Sequence, residues 1–265
     1  MLKLDGIARR FRPLVAVDRV DLLVPDGQFL AIIGSSGAGK STMLRLINRL
    51  VEPSAGSISY GGRDVTALKG PALRSWRAEC AMIFQQFNLV DRLDVLTNVL
   101  TGRVSRHGLL SSLIKRFDDT ERTLAIRALD RLGMAEPALQ RVATLSGGQQ
   151  QRVAIARALL QEPRIILADE PIASLDPANA QRVMDALRII NREDGITVLV
   201  NLHDLATARA YADRIVGLAA GRIVFDGRPS DLDAATIRQI YGTEDPDAVA
   251  TETPRAAPVP ELLPA

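Results

Sequence analysis

One short stretch constrains this chain more than any other: Gly34-Ser35-Ser36-Gly37-Ala38-Gly39-Lys40-Ser41-Thr42. It fits the pattern G-x-x-x-x-G-K-[ST], and its flanks supply the context that the pattern needs. Before it, Phe29-Leu30-Ala31-Ile32-Ile33 is a continuous apolar run, as expected of a strand covered on both faces. After it, Met43, Leu44, Leu46, Ile47 and Leu50 recur at helical spacing, and residues 52–56 read as the end of that helix. A strand that feeds a glycine-rich turn and then a helix makes a phosphate cradle. The glycines let backbone N–H groups curl around phosphate oxygens, and the helix adds about half a positive charge at its N-terminus. The basic residues are nearly all arginines, and the only lysines are Lys3, Lys40, Lys69 and Lys115. Lys40 therefore stands out as a compact, mobile cation suited to β- and γ-phosphates, and Ser41 offers a hydroxyl to Mg²⁺.

The rest of the chain reads as strands alternating with helices, which argues for a mainly parallel α/β sheet. Residues 2–30 alternate apolar runs with turns, and Pro25-Asp26-Gly27 is a tight turn between two strands. A small strand and turn region follows at residues 57–64. Further strands are expected at residues 80–84, 164–168 and 196–201, and a late hairpin joins residues 214–218 to 222–225 through Ala219-Ala220-Gly221. From about residue 88 to 160 the pattern is helical, with Leu124, Ala125, Ala128, Leu129 and Leu132 on one face, so this block reads as an insertion into the sheet. From Thr243 the composition shifts to Pro, Ala, Glu and Thr. Residues 243–265 read as a disordered tail with too little apolar surface to offset the entropy of ordering.

Composition narrows the class. Hydrophobic residues make up 47% and charged residues 24%, as in ordinary globular proteins. No stretch approaches the roughly 18 consecutive apolar residues of a membrane span, and the N-terminus lacks the apolar core of a signal peptide. The single Cys80, set in the apolar run Cys80-Ala81-Met82-Ile83-Phe84, reads as a buried, inert thiol in a protein of the reducing cytoplasm. A net charge of +2 provides no global field for nucleic acid or anionic lipid.

Two further stretches carry chemistry. Arg164-Ile165-Ile166-Leu167-Ala168-Asp169-Glu170 is a buried strand ending in two carboxylates. Asp169 is placed to reach Mg²⁺, and Glu170, pointing to the other face, is assigned as the general base for an attacking water. Leu145-Ser146-Gly147-Gly148-Gln149-Gln150-Gln151-Arg152 is a second phosphate loop, roughly a hundred residues after the first. Ser146 caps a helix expected over residues 149–160, and Gly147 and Gly148 leave its N-terminus open to close approach. The first loop already surrounds its own nucleotide's phosphates on one side. The second loop therefore suits a nucleotide held by another copy, with two chains facing head to tail about a two-fold axis.

These stretches together closely resemble the ATP-binding subunits of ABC transporters, over about residues 2–242. The resemblance implies an α/β fold: a P-loop NTPase core of ABC-ATPase type, with an N-terminal antiparallel β subdomain and an inserted helical subdomain at about 88–160. Residues 1–242 would then form one nucleotide-binding domain, with ATP and Mg²⁺ as cofactors. Gln85 resembles the glutamine that senses Mg²⁺ and the permease. Ser174-Leu175-Asp176 resembles the D-loop that crosses between two sites, which puts Asp176 with the nucleotide-binding groups alongside Gln149. His203 resembles the switch histidine at the γ-phosphate, although a lone histidine at a strand end needs no such role. Phe11 matches the aromatic that stacks on adenine, and it fits a core position equally.

With no membrane span, the permease would be a separate chain. The resemblance thus places this subunit on the cytoplasmic face of the bacterial inner membrane, served indirectly by a solute-binding protein. Phe87-Asn88-Leu89-Val90, Asn98-Val99-Leu100-Thr101-Gly102-Arg103, residues 169–177 and Tyr211-Ala212-Asp213-Arg214 resemble phosphonate-importer ATP-binding subunits, as does the extra run at 109–117. Ser35 and Ala38 replace the more usual Pro and Ser of that phosphate loop, a change that backbone-mediated binding tolerates. Polar amino-acid importers share part of this pattern. ABC ATPases that act on nucleic acid form the rival class, disfavoured by the near-neutral charge and the absence of heptads.

Overall fold

The computed structural model describes residues 1–106 and 117–242. Residues 243–265, read above as a disordered tail, lie outside the described residues. So does nearly all of the extra run at 109–117.

Among the described residues the strands form two sheets. The first is antiparallel, in the order β2 (Leu14–Val24), β1 (Leu2–Phe11), β4 (Ala55–Tyr60), β5 (Arg63–Asp64). The second runs β10 (Arg222–Gly227), β9 (Arg214–Ala219), β3 (Phe29–Ile33), β8 (Thr197–Leu202), β7 (Ile165–Asp169), β6 (Cys80–Ile83). Within it, β9, β3, β8, β7 and β6 are parallel, and only β10 pairs antiparallel. This is the mainly parallel sheet that the alternating pattern implies.

The continuous apolar strands have a direct physical cause. Successive side chains of a strand point to opposite faces. In β3, Leu30 and Ile32 enter a core with β1, β2 and helix α1 (Lys40–Ile47), whereas Phe29, Ala31 and Ile33 enter a second core on the other face. Cys80 and Met82 split from Ala81 and Ile83 in the same way along β6. Both faces are covered, so every position of β3 is apolar and buried. Cys80 is fully buried, and burial pushes its thiol well above the usual range, as expected of an inert cysteine.

The second core is capped by the helical block. Helix α2 (Gly70–Glu79) precedes β6, and the block comprises α3 (Val95–Leu100), α4 (Asp119–Asp130) and α5 (Gly147–Leu159). Its first regular helix starts at Val95 rather than near residue 88, capped by Asp94. Ala125, Ala128, Leu129 and Leu132 are buried as the periodicity predicts. Helix α6 (Pro177–Asp194), α7 (Leu205–Tyr211) and α8 (Ala234–Tyr241) complete the described helices.

One expectation about α1 fails. The helix stops at Ile47, not at residues 52–56, and Leu50 is 46% exposed rather than part of its apolar face. Asn48 donates through its side chain to the Cys80 carbonyl, and Arg49 adopts a left-handed backbone with φ 59°. The Arg49 guanidinium reaches the carbonyls of Val65 and Thr66. These distant partners turn the chain before the local stop signal does.

Candidate active site

The C-terminal ends of the parallel strands converge, which is where ligands bind in open α/β sheets. β3 leads into residues 34–42, β7 ends at Asp169, and β8 is followed by His203. Gln85 lies two residues beyond β6 and is exposed.

The loop at 34–42 is fixed by backbone packing. Gly39 caps α1 in a left-handed conformation, φ 104°, and a Cβ there would lie 2.2 Å from the Ala16 carbonyl oxygen. A Cβ on Gly34 would lie 2.4 Å from the Leu218 carbonyl oxygen. The late hairpin joins in, because Gly221 N donates to Ala38 O at 3.0 Å and Asp18 N donates to Gly221 O at 2.9 Å. The two sheets thus clamp the loop between β2 and the β9–β10 turn. Ala38 is buried here, while Ser36 and Gly37 are exposed at the tip and Ser35 and Thr42 are half-buried.

Lys40 is 4% exposed, and burial lowers the pKa of its ammonium despite Glu170 and Asp169 nearby. Its Nζ donates to the carbonyls of Gly34 at 2.6 Å and Ser35 at 3.1 Å, so it bridges the loop from within. Ser41 Oγ donates to Asp169 Oδ1 at 2.7 Å. Two of the residues singled out for the metal, Ser41 and Asp169, therefore meet, 128 positions apart in sequence.

Two contacts to Asp169 were not foreseen. Asn201 Nδ2 donates to the same oxygen at 2.8 Å, and the Arg45 guanidinium lies 3.5 Å from Oδ2. The one signal for Asn201 was a polar residue inside the apolar run of β8. By contrast, no hydrogen bond among the described residues joins Gln85 to Asp169 or Ser41.

Glu170 sits immediately after β7 with φ 51°, a left-handed conformation that costs a non-glycine residue about 1–3 kcal/mol. Such strain is typical of functional sites. It turns the carboxylate toward His203, whose Nε2 lies 2.6 Å from Glu170 Oε1. The hydrogen bond with His203 holds the Glu170 carboxyl below its usual range, against the opposing effect of burial, with Lys40 adding to the lowering. A cation, a hydroxyl and two carboxylates thus gather at the mouth of a glycine-rich loop, a set able to hold a polyphosphate and activate water beside it.

Ser146 caps α5, which begins at Gly147, two residues before its expected start. Ser146 N donates to Gln149 Oε1 at 2.9 Å, and Gln149 N donates back to Ser146 Oγ at 3.4 Å, forming a capping box. Asp176 caps α6 and accepts from Asn179. Phe11, at the end of β1, is 41% exposed, so it is not a core aromatic.

Residues 17–173 match the family described as ABC transporter. The chain belongs to the ABC transporter family. Relatives agree along nearly its whole length. It is 61% identical to the phosphonates import ATP-binding protein of Rhizobium etli, over 96% of this chain and 90% of that one. It is 56% identical to a phosphonates import ATP-binding protein of Rhodopseudomonas palustris, over 99% and 98%. Among solved structures, a dimeric ATP-binding cassette in a post-hydrolysis state with ADP and Pi superposes with a TM-score of 0.77 at 34% identity, covering 86% of this chain and 99% of that one. The P-loop NTPase core with its antiparallel β sheet is the fold of this ABC cassette.

Proposed function

We propose that this ABC cassette is the ATP-hydrolysing subunit of a binding-protein-dependent importer that couples hydrolysis to phosphonate uptake. The observation that carries the hydrolytic part is the meeting of Lys40, Asp169, Glu170 and His203 around residues 34–42. The solute follows from the two phosphonate-import relatives, which align with this chain almost end to end.

ATP is held by residues 34–42, with Phe11 against the adenine and Lys40 moving from its loop carbonyls to the β- and γ-phosphates. Ser41 and Asp169 are the residues that would hold Mg²⁺, with Gln85 joining from the loop after β6. The donor set fits that ion. A hydroxyl and a carboxylate oxygen, Ser41 Oγ and Asp169 Oδ1, lie 2.7 Å apart, and Mg²⁺ is typically held by one or two protein oxygens plus phosphates and water. When bound, Mg²⁺ offsets negative charge on the phosphates. Glu170, kept anionic by His203, takes a proton from the attacking water, and His203 positions the γ-phosphate.

Ser146, Gly147, Gly148 and Gln149, with Asp176, close over the nucleotide of a second copy. Closure moves the helical block near Gln85 and drives a separate permease between its two accessible states. None of the helices, among the described residues, is long and apolar enough to cross a membrane. As the ATP-binding subunit of an importer, the chain sits peripherally on the cytoplasmic face of the inner membrane. The solute reaches the permease through an external binding protein, and nucleic acid has no part in the cycle.

The test is growth of the source organism carrying Glu170→Gln in its own gene, with 2-aminoethylphosphonate or inorganic phosphate as the sole phosphorus source, together with phosphonate uptake. Loss of growth and uptake on the phosphonate alone supports the reading. Unchanged phosphonate uptake points to another solute or to a redundant importer, and uptake of polar amino acids is then measured.

A further inference from the structure

Phe11 does not stand alone at the tip of the β1–β2 hairpin. The central carbon of the Arg9 guanidinium lies 4.4 Å from the centroid of its ring. Positions two apart on a strand project to the same face, which brings the two side chains together. The guanidinium is also tied down from behind. Arg9 Nη1 donates to the Glu52 backbone carbonyl at 2.9 Å. Arg9 Nε is buried and finds no hydrogen-bond partner among the described residues. Glu52 is itself held, because its Oε2 accepts from Arg49 Nη2 at 2.7 Å and from Arg49 Nε at 3.1 Å. Arg49 lies just beyond α1, the helix that begins with Lys40. A continuous set of contacts therefore runs from the end of that helix through Arg49, Glu52 and Arg9 to Phe11.

We infer that Arg9 is a positioning residue for adenine: it covers one face of the Phe11 ring, fixes the ring plane, and leaves the opposite face for the purine. The inference rests on the reading of Phe11 as the adenine platform. An aromatic side chain at an exposed hairpin tip otherwise samples several rotamers, and ordering it when the base arrives costs affinity. A cation over the ring face is attracted by the ring's negative quadrupole and orders the ring in advance. Phe11 remains 41% exposed with the guanidinium in place, so ring surface is still available to a ligand. The base is thereby tied to the phosphate-loop helix, which places adenine and triphosphate in one frame.

The experiment measures binding of ATP and of inorganic tripolyphosphate to the full chain by titration calorimetry. The variants are Arg9→Ala, Arg9→Gln, Phe11→Ala and the double change Arg9→Ala/Phe11→Ala, each checked by thermal melting. Arg9→Gln keeps a shorter side chain with an amide donor and removes the cation. Arg9→Ala and Arg9→Gln should weaken ATP about 2- to 10-fold, the range a cation–π contact supplies, and leave tripolyphosphate affinity unchanged. In the Phe11→Ala background the Arg9 change should cost nothing further. Equal weakening of ATP and tripolyphosphate would make Arg9 a general charge for phosphate and overturn the inference. Additive losses in the double variant would overturn it as well. Wild-type ATP affinity in both Arg9 variants, with Phe11→Ala weakened, removes Arg9 alone. Unchanged affinity in Phe11→Ala removes the adenine platform itself.

Discussion

Asn179 fills the space that a side chain at position 148 would need. A Cβ built on Gly148 would lie 2.5 Å from Asn179 Cγ and 2.8 Å from its Cβ. The same asparagine organises the D-loop. Its backbone N–H and its Nδ2 donate to the two oxygens of Asp176, at 3.0 and 2.6 Å. The hydrogen bond from the Asn179 side chain is the main reason that the Asp176 carboxyl titrates below its usual range. The second phosphate loop and the D-loop, 28 positions apart between Gly148 and Asp176, are therefore one packed unit.

Gly148→Ala should push Asn179 aside and loosen Asp176. Both elements are assigned to the partner's nucleotide, so ATP binding by the monomer should persist while the ATP-driven dimer is lost. Sedimentation with ATP, alongside ATP titration of the monomer, reads the two separately. Adding Asn179→Gly to Gly148→Ala removes both the Cγ and the Cβ contacts and should recover part of the dimer. If the monomer itself lost ATP affinity, the loop would serve its own nucleotide and the two-copy arrangement would fail.

The Glu170 and His203 pair makes a sharper kinetic demand. Glu170→Gln preserves shape and a hydrogen bond to His203 but cannot take a proton from water. Hydrolysis should slow by roughly 10²-fold or more, since general base catalysis contributes about 10²–10⁴-fold. ATP affinity should be retained, and the ATP-bound dimer should accumulate. Single-turnover hydrolysis and sedimentation check both points. Turnover at the normal rate would remove Glu170 from the base role.

Much of this site was legible because its information is local. Residues 34–42 carry their own glycines, lysine and hydroxyls, and β3 before them is apolar at every position because both of its faces are covered. Ser146 and Gln149 form their capping box within one turn. What escaped depends on partners distant in sequence. Arg45 and Asn201 matter through Asp169, which lies in a different element from either, Arg45 being in α1 and Asn201 in β8. The close approach of Ala16 to Gly39 is a contact between β2 of the antiparallel sheet and the phosphate loop that no spacing reveals. Leu50 kept helical periodicity, yet Asn48 and Arg49 had already been drawn to Cys80, Val65 and Thr66, and the helix ended where those contacts required.

Asp213 connects this architecture to pH. Its backbone N–H donates to the Phe29 carbonyl at 2.9 Å, and its Oδ2 accepts from Phe29 N at 2.9 Å. Its Oδ1 accepts from Arg188 Nη2 at 2.6 Å. The carboxylate thereby pins the first residue of β3, the strand that delivers the phosphate loop. Burial alone would raise the pKa of this carboxyl. The Arg188 bond, the Phe29 N–H and the nearby positive charge of Arg188 and Arg192 outweigh burial and lower it. A folded-state value below the unfolded one means that the native chain binds the proton more weakly. The stabilisation is therefore complete above the unfolded value, about 4, and disappears as pH falls through the folded value. Asp213→Asn should lower the melting temperature at neutral pH, and the gap to the unaltered protein should close on acidification below about pH 4. Thermal melts of both proteins between pH 7 and 3 measure this gap. A gap constant across that range would mean that Asp213 contributes shape and not charge, and the electrostatic account of how β3 is anchored would fall.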